Sequence, residues 1–399
     1  MNSICLKEGK KGALRPGHPW IFRTQIQKPS LGIKPGDVVA VFTADKKIVG
    51  HGYYNPKSEI SIRILSFEDR GIDRAFFEEM IKKAVEKRRD LLKTTNAYRA
   101  VFSEADSLPG LIIDIYNDTA VFQVLTLGME KFKSEIADVI DEVLKPKFIY
   151  ERSSSVFRKL EGLKDVIGWW GDEGCGTVEI SEGRAKFLVD IINGHKTGFY
   201  LDQRRSRLAL ENISKGKKVL DLFCYTGAFS VTAAMCGAST VRGVDIKKEW
   251  LDLAERNAQL NNVSQNIEFV KADAFSALKK IHESGEKFDI VIIDPPSFLR
   301  TRESIKMASK GYAELNTLGM KVLNDGGVLA TFSCSHNMPG AAFSEILKKS
   351  AIESGMKISI LKRCHQDIDH PIARAIPETE YLKGYFLRVN QNENTKTDA

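Results

Sequence analysis

Four aspartates and one cysteine, each just after an apolar, β-rich run, carry the chemistry available to this 399-residue chain. Asp221 opens the stretch Asp221-Leu222-Phe223-Cys224-Tyr225-Thr226-Gly227-Ala228-Phe229, which reads as the end of a strand, a tight turn at Gly227 and the start of a helix. Asp245 closes the next strand in Gly243-Val244-Asp245-Ile246, where a carboxylate can accept two hydroxyl hydrogen bonds, as a ribose diol requires. Asp273 follows a third strand in Lys271-Ala272-Asp273-Ala274-Phe275, where an acid can accept from an adenine amino group. A lone aspartate after a strand is often only a helix N-cap. Asp221, Asp245 and Asp273 after three successive strands are hard to explain as caps. The turn has one glycine where a GxGxxG pyrophosphate loop has three, so a dinucleotide is disfavoured and the turn suits a ligand without phosphate.

The fourth strand ends in Asp294-Pro295-Pro296-Ser297-Phe298. Two prolines fix φ and remove two N–H donors, which stiffens the loop and leaves its carbonyls free to accept. Phe298 can stack on a flat base, and Asp294 can bond the N3 or amino edge of a pyrimidine. The fifth strand ends in Thr331-Phe332-Ser333-Cys334-Ser335-His336, which sets Cys334 on the same rim. Most cysteines are small buried hydrophobes. At this position another chemistry opens. Carbon 5 of a pyrimidine is a poor nucleophile, but a thiolate bonded to carbon 6 makes the ring an enamine whose carbon 5 takes a methyl group. The base that removes the carbon 5 proton is not identified by sequence; His336 reads as a surface or packing residue. Cys224 reads as packing in the turn, and Cys5, Cys175, Cys236 and Cys364 as structural. No two cysteines stand at CxxC spacing, so neither a zinc site nor a redox pair is expected, and no metal.

The elements that must hold these residues follow from periodicity. From about residue 193 strands and helices alternate strictly, and runs such as Ile290-Val291-Ile292-Ile293 are apolar on both faces, as buried parallel strands require. An α/β fold with a doubly wound, mostly parallel seven-stranded sheet is expected over 193–399, with strands at Lys218–Phe223, Thr240–Val244, Ile267–Val270, Phe288–Ile293, Gly327–Phe332, Lys357–Leu361 and Tyr385–Val389. Residues 73–192 read as an α+β domain, opening with a helix capped by Asp73 and returning to helical period over Glu130–Leu144. Residues 1–72 read as a small β-barrel punctuated at Arg15-Pro16-Gly17-His18-Pro19-Trp20, Lys34-Pro35-Gly36-Asp37 and Gly50-His51-Gly52. That segment holds twelve Lys/Arg against six Asp/Glu, nearly the whole net charge of +7, a handle for a polyanion such as nucleic acid. No apolar run reaches the ~18 residues of a membrane span, and no secretory signal is read, so a reducing cytoplasm with free thiols is expected.

The three acids and the turn resemble those of class I S-adenosylmethionine-dependent methyltransferases over about 193–390. The resemblance implies that the Asp221–Phe229 turn, with Phe223, Tyr225, Thr226 and Gly227, cradles the methionine part. Asp245 with Ile246 then meets the ribose, and Asp273 with Ala274 the adenine. Over nearly the whole chain the sequence resembles bacterial 23S rRNA cytosine-C5 methyltransferases. Arg15-Pro16-Gly17-His18-Pro19-Trp20-Ile21-Phe22 is similar to the start of their PUA RNA-binding domain, and Asp106–Asp114 to their central domain. His195-Lys196-Thr197-Gly198-Phe199-Tyr200-Leu201-Asp202-Gln203-Arg204 is similar to their signature, with Asp369-His370-Pro371 and Glu380-Tyr381-Leu382-Lys383-Gly384 near the C-terminus. That family implies cofactor contacts from Lys196, Thr197, Gly198, Gln203 and Asp294, and RNA contacts from Arg15, His18, Pro295 and Phe298. It also implies 23S rRNA or its large-subunit precursor as substrate, and a homodimer. Relatives often carry a second cysteine in the fourth-strand loop; here Ser297 stands there, which leaves the deprotonation step open. Two other readings remain: methylation of an exocyclic amine such as guanine N2 through the Asp294–Phe298 loop, and a catalytically silent RNA-binding or assembly protein.

Overall fold

A computed structural model of the chain describes residues 2–9, 12, 14–29, 31–297 and 305–392. They fall into two compact units. The first comprises Met1–Gly183, Val189–Leu201 and Ile368–Thr379, and the second Arg184–Leu188, Asp202–Asp367 and Glu380–Ala399.

The first unit begins with strands β1 (Ser3–Cys5), β2 (Trp20–Phe22), β3 (Val38–Phe42), β4 (Ile48–Tyr54) and β5 (Ile60–Ser66), in a five-stranded sheet of order β1-β3-β4-β5-β2. Ile4, Ile21, Val39, Val41, Ile62 and Ile64 form its core. Gly50-His51-Gly52, expected as a break, lies inside β4. The glycines are there because β5 comes too close for a side chain: a Cβ on Gly50 would sit 2.2 Å from the Ser66 carbonyl oxygen, and one on Gly52 2.2 Å from that of Arg63. Alternation in β5 predicts Ser61 and Arg63 facing water, yet both are buried. Arg63 is matched by Glu161, whose carboxylate accepts from Arg63 Nη1 at 2.8 Å and Asn55 Nδ2 at 2.7 Å, and Ser61 Oγ donates to the Ser58 carbonyl at 3.1 Å.

Helix α1 (Arg74–Glu86) starts as the sequence predicts, with Asp73 accepting from the Phe76 N–H at 3.0 Å. Then come β6 (Ala97–Phe102), β7 (Leu111–Tyr116), β8 (Thr119–Val124), α2 (Leu127–Lys131), α3 (Lys133–Leu144), β9 (Phe148–Ser153), α4 (Val156–Leu160) and β10 (Val166–Trp170). The strands form a second five-stranded sheet, β10-β9-β8-β7-β6, parallel only between β8 and β9. The helical stretch expected over Glu130–Leu144 is interrupted at Phe132, between α2 and α3. Strand β6 is hard to see in sequence because Arg99 sits in its middle; the guanidinium is buried by a two-pronged pair with Asp114 of β7, at 2.7 and 2.8 Å. Strands β11 (Thr177–Glu182) and β12 (Ala185–Asp190) pair as a two-stranded sheet.

The second unit contains α5 (Arg204–Leu208), β13 (Lys218–Leu222), α6 (Ala228–Met235), β14 (Thr240–Asp245), α7 (Lys248–Leu260), β15 (Ile267–Lys271), α8 (Ala274–Glu283), β16 (Phe288–Ile293), α9 (Ile305–Lys321), β17 (Leu323–Ser333), α10 (Gly340–Ser354), β18 (Met356–Cys364) and β19 (Lys383–Gln391). Its seven-stranded sheet runs β15-β14-β13-β16-β17-β19-β18. The five strands from β15 to β17 are parallel, and β19 is antiparallel to both of its neighbours. Leu220, Leu222, Val291, Ile293 and Leu329 fill the core between the sheet and its helices. Strand order reverses at β13, the switch point at which open α/β sheets bind ligands beyond the strands' carboxyl ends.

Candidate active site

Asp221 stands near the carboxyl end of β13 and is 1% exposed. Its Oδ2 accepts from Ser230 Oγ of α6 at 2.6 Å, and its Oδ1 has no hydrogen-bond partner among the described residues. Burial, reinforced by the charges of Asp294 and Asp245, pushes its pKa up to about 7. After β13 the backbone takes left-handed φ at every second residue: Phe223 (+62°), Tyr225 (+51°) and Gly227 (+77°). For Phe223 and Tyr225 this conformation costs energy and marks a turn whose shape is imposed by its surroundings. Gly227 is required there twice over, since a Cβ would also lie 2.9 Å from Ala254 and 3.0 Å from Phe269.

Asp245 fixes this turn from β14. Its carboxylate accepts from the backbone N–H groups of Tyr225 at 2.9 Å, Ile246 at 2.7 Å and Lys247 at 3.3 Å. Burial outweighs these bonds and holds its pKa above the ordinary value. Beside it the Ile246 side chain is 59% exposed, an apolar surface at the strand end. Asp273 caps α8, accepting from the Ser276 N–H at 3.0 Å with one oxygen, and is exposed; Ala274 behind it is buried in the helix. Phe229 is a packing residue, stacked on Phe332 at 5.6 Å. Cys224 is buried, and desolvation raises its thiol well above the usual range, as its packing role requires.

At the end of β16, Asp294 Oδ2 accepts from Gln203 Nε2 at 3.0 Å. Gln203 is 2% exposed, and its Oε1 has no hydrogen-bond partner among the described residues. Cys334, just past β17, lies 3.9 Å from the Pro295 carbonyl oxygen, which brings the two loops together. Thr331, Phe332, Ser333 and Ser335 around it are all at most 1% exposed, whereas Cys334 is half-buried. Cys334 is therefore a residue of the rim, not of the core. Phe298 lies outside the described residues. His336 is exposed, its ring 5.3 Å from that of Tyr381.

The remaining expected contacts lie in the first unit. Thr197 is fully buried, bonding Tyr116 at 2.9 Å and the Asp114 carboxylate, so its side chain serves that unit's interior. Lys196 lies over the Tyr200 ring at 4.5 Å, and Gly198 takes φ +139° where a Cβ would meet Val189 at 2.7 Å. Arg15 is half-exposed and pairs with Glu378 at 3.1 Å. His18, the other expected RNA contact of this segment, is held inside the turn. It is 2% exposed, accepts from the Trp20 N–H at 3.2 Å and bonds Glu378 at 3.0 Å, so its ring is a packing piece of the turn.

The second unit's rim fits a ligand that carries an ammonium, hydroxyls and a flat base. Among the described residues the Oδ1 of buried Asp221 and the Oγ1 of buried Thr226 have no hydrogen-bond partner, and both call for polar ones. Asp245 retains acceptor capacity, and Ile246 offers apolar surface. Fold and rim define an S-adenosylmethionine-dependent methyltransferase: residues 156–371 match the family so described, and residues 4–67 match a PUA-like domain. A protein of Streptococcus mutans, described as a SAM-dependent methyltransferase, is similar in structure at TM-score 0.83 and 25% identity, over 97% of this chain and 100% of that one. A second methyltransferase, crystallised with S-adenosylhomocysteine, is similar at TM-score 0.80 and 26% identity over 93% and 96%. Two sequence relatives are both named ribosomal RNA large subunit methyltransferase I. That of Aeromonas hydrophila subsp. hydrophila is 40% identical, and that of Pseudoalteromonas translucida 38%, each over 97% of this chain and 99% of its own length. The chain belongs to the family of ribosomal RNA large subunit methyltransferase I.

Lys383, which in sequence stands only within a C-terminal resemblance, is a further polar group at this rim. It is half-buried, and its Nζ donates to the Ser335 carbonyl at 2.7 Å. Nothing local in sequence could reveal this, because it depends on β19 pairing with β17.

Proposed function

We propose that this protein methylates carbon 5 of a cytosine in large-subunit rRNA, with Cys334 as the covalent nucleophile. The observation that carries the reading is the half-buried Cys334 thiol beside the Pro295 carbonyl, on the rim that bears Asp221 and Asp245. The relatives' name supports rRNA of the large subunit as substrate, and the PUA-like domain supports RNA binding.

Asp221, Thr226, Asp245 and Ile246 would hold S-adenosylmethionine, with Asp273 and Ala274 beside the adenine. When bound, that cofactor supplies an electrophilic methyl group. The chain's own part is to prepare the carbon that receives it. The Cys334 thiolate forms a bond to carbon 6, and the electron pair of the 5,6 double bond moves onto carbon 5. Asp294, oriented by Gln203, bonds the N3 or amino edge and favours that shift. After methylation a base takes the carbon 5 proton, the C–H pair restores the double bond, and the carbon–sulfur bond breaks to return the thiolate.

The three-part division remains part of this reading: residues 1–72 for RNA binding, 73–192 as a central domain, 193–399 for methyl transfer. The family resemblance adds 23S rRNA or its precursor as partner, a homodimer, and the cytoplasm. Among the described residues no helix is long and apolar enough to cross a membrane.

The test is covalent trapping. Large-subunit rRNA carrying 5-fluorocytidine should form a denaturation-resistant adduct through Cys334. Cys334→Ala should abolish both adduct and turnover while calorimetric cofactor binding survives. Turnover by the alanine variant would remove Cys334 from the mechanism and favour an exocyclic amine as acceptor.

A further inference from the structure

Beyond the nucleophile itself stands the question of how its thiol ionises near neutral pH. An ordinary cysteine titrates at ~8.5, and partial burial beside a carboxylate raises that value. Among the described residues, charged and titratable groups near Cys334 come from β16, α9, the segment after β17, and β19. Tyr312 of α9 is fully buried and interacts electrostatically both with the thiol and with Asp294 at the end of β16. Asp294 opposes a thiolate, and a buried phenol contributes no positive charge. His336 follows two residues later and is exposed, against Tyr381. The last of these elements, β19, begins at Lys383.

The antiparallel register sets Lys383 directly opposite Ser333, and its Nζ donates to the carbonyl of Ser335 at 2.7 Å. Cys334 lies between these two points of attachment. An ammonium has three N–H donors, of which the Ser335 carbonyl takes one. Lys383 and Cys334 interact electrostatically, and Glu380 acts on the same ammonium. We propose that Lys383 is a positioning residue whose ammonium, anchored on the Ser335 carbonyl, holds the Cys334 thiol in its anionic, nucleophilic form. The proposal rests on the cytosine-C5 reading, since only a thiolate nucleophile needs such a cation. Burial lowers the pKa of Lys383, and the thiolate opposes that shift. By reciprocity the cation lowers the pKa of the thiol. The fixed N–H···O bond adds a second effect: it ties the strand end that carries Cys334 to β19, so the sulfur is presented from a rigid edge.

The test is the pH profile of Cys334 alkylation by iodoacetamide in the full-length protein, followed by mass spectrometry of the peptide that contains it. In the wild type the midpoint should lie below that of a free thiol, ~8.5. Lys383→Met should raise it by about one unit, which slows alkylation at pH 7 about tenfold, and kcat should fall by a similar factor at unchanged cofactor affinity. Lys383→Arg should restore most of the shift. A wild-type midpoint at or above the free-thiol value overturns the proposal even if the methionine variant does not fold, and so does an unchanged midpoint in a folded Lys383→Met protein. Trapping of 5-fluorocytidine RNA reads the underlying function separately. Adduct formation without a midpoint shift overturns the role of Lys383 alone; a midpoint shift without any adduct overturns the cytosine-C5 reading and leaves the thiol–ammonium pairing in place.

Discussion

Asp221 is buried among other acids with one oxygen bonded and the other without a hydrogen-bond partner among the described residues, so its charge is costly until a cation arrives. This gives a pH dependence with a definite sign. Between its ordinary value of 3.8 and its folded value of about 7, the folded chain keeps a proton that the unfolded chain has released. Stability must therefore fall as pH rises through that window, by at most about 1.4 kcal/mol per unit from this group, and stop falling above it. Asp221→Asn should flatten the profile between pH 4 and 7, as denaturant titrations would read. A ligand ammonium beside the carboxylate has the opposite preference, so S-adenosylmethionine affinity should climb with pH up to about 7 in the wild type and lose that dependence in the variant. A cofactor affinity independent of pH would place the ammonium elsewhere. The two cysteines near this rim show why residue type alone decides little. Cys224 is sealed and held protonated, whereas Cys334 is half-buried.

At the level of elements, the strands that position the site were readable because each is a continuous apolar run; Phe288–Ile293 has the bounds that its pattern predicts. The errors fell where a charged or glycine residue sits inside a strand. Arg99 in β6, Arg63 in β5 and Gly50 in β4 all depend on a partner distant in sequence: Asp114, Glu161 and the Ser66 carbonyl. Such partners can be tested. Glu161 is buried, and its carboxylate is the anion beside Arg63 and the acceptor for Asn55. Glu161→Ala leaves a buried guanidinium without its hydrogen-bonded carboxylate and should destabilise the first unit by about 3–5 kcal/mol, visible as a lower denaturant midpoint of the full chain. A loss below about 1 kcal/mol would mean that water reaches Arg63 at little cost.

On the scale of the whole molecule, the charge distribution separates tasks. The first 72 residues carry nearly all of the excess positive charge, and Lys28, Lys34 and Lys46 are exposed. Deleting this segment is a poor test, because Tyr53, Asn55 and Arg63 anchor it within the first unit through Thr126 and Glu161. Replacing Lys28, Lys34 and Lys46 together by Gln should keep the fold, since all three are exposed. It should weaken RNA binding and reduce the slope of log affinity against log salt by about 0.7–0.9 for each phosphate that the protein no longer neutralises. An unaltered slope in filter-binding or fluorescence titrations would show that these side chains do not meet the backbone of the RNA.

The amino-acid sequence by itself determined the sheet, the acids on its rim and the position of the thiol, because these follow from local periodicity and from the rule that ligands sit beyond strand ends. It could not determine which of those side chains are free to act. Asp273 spends one oxygen on a helix cap, His18 is packed behind Glu378, and Lys383 reaches Ser335 only because β19 runs antiparallel to β17. Burial and long-range pairing are properties of the assembled chain, and they decide the charge state on which the chemistry depends.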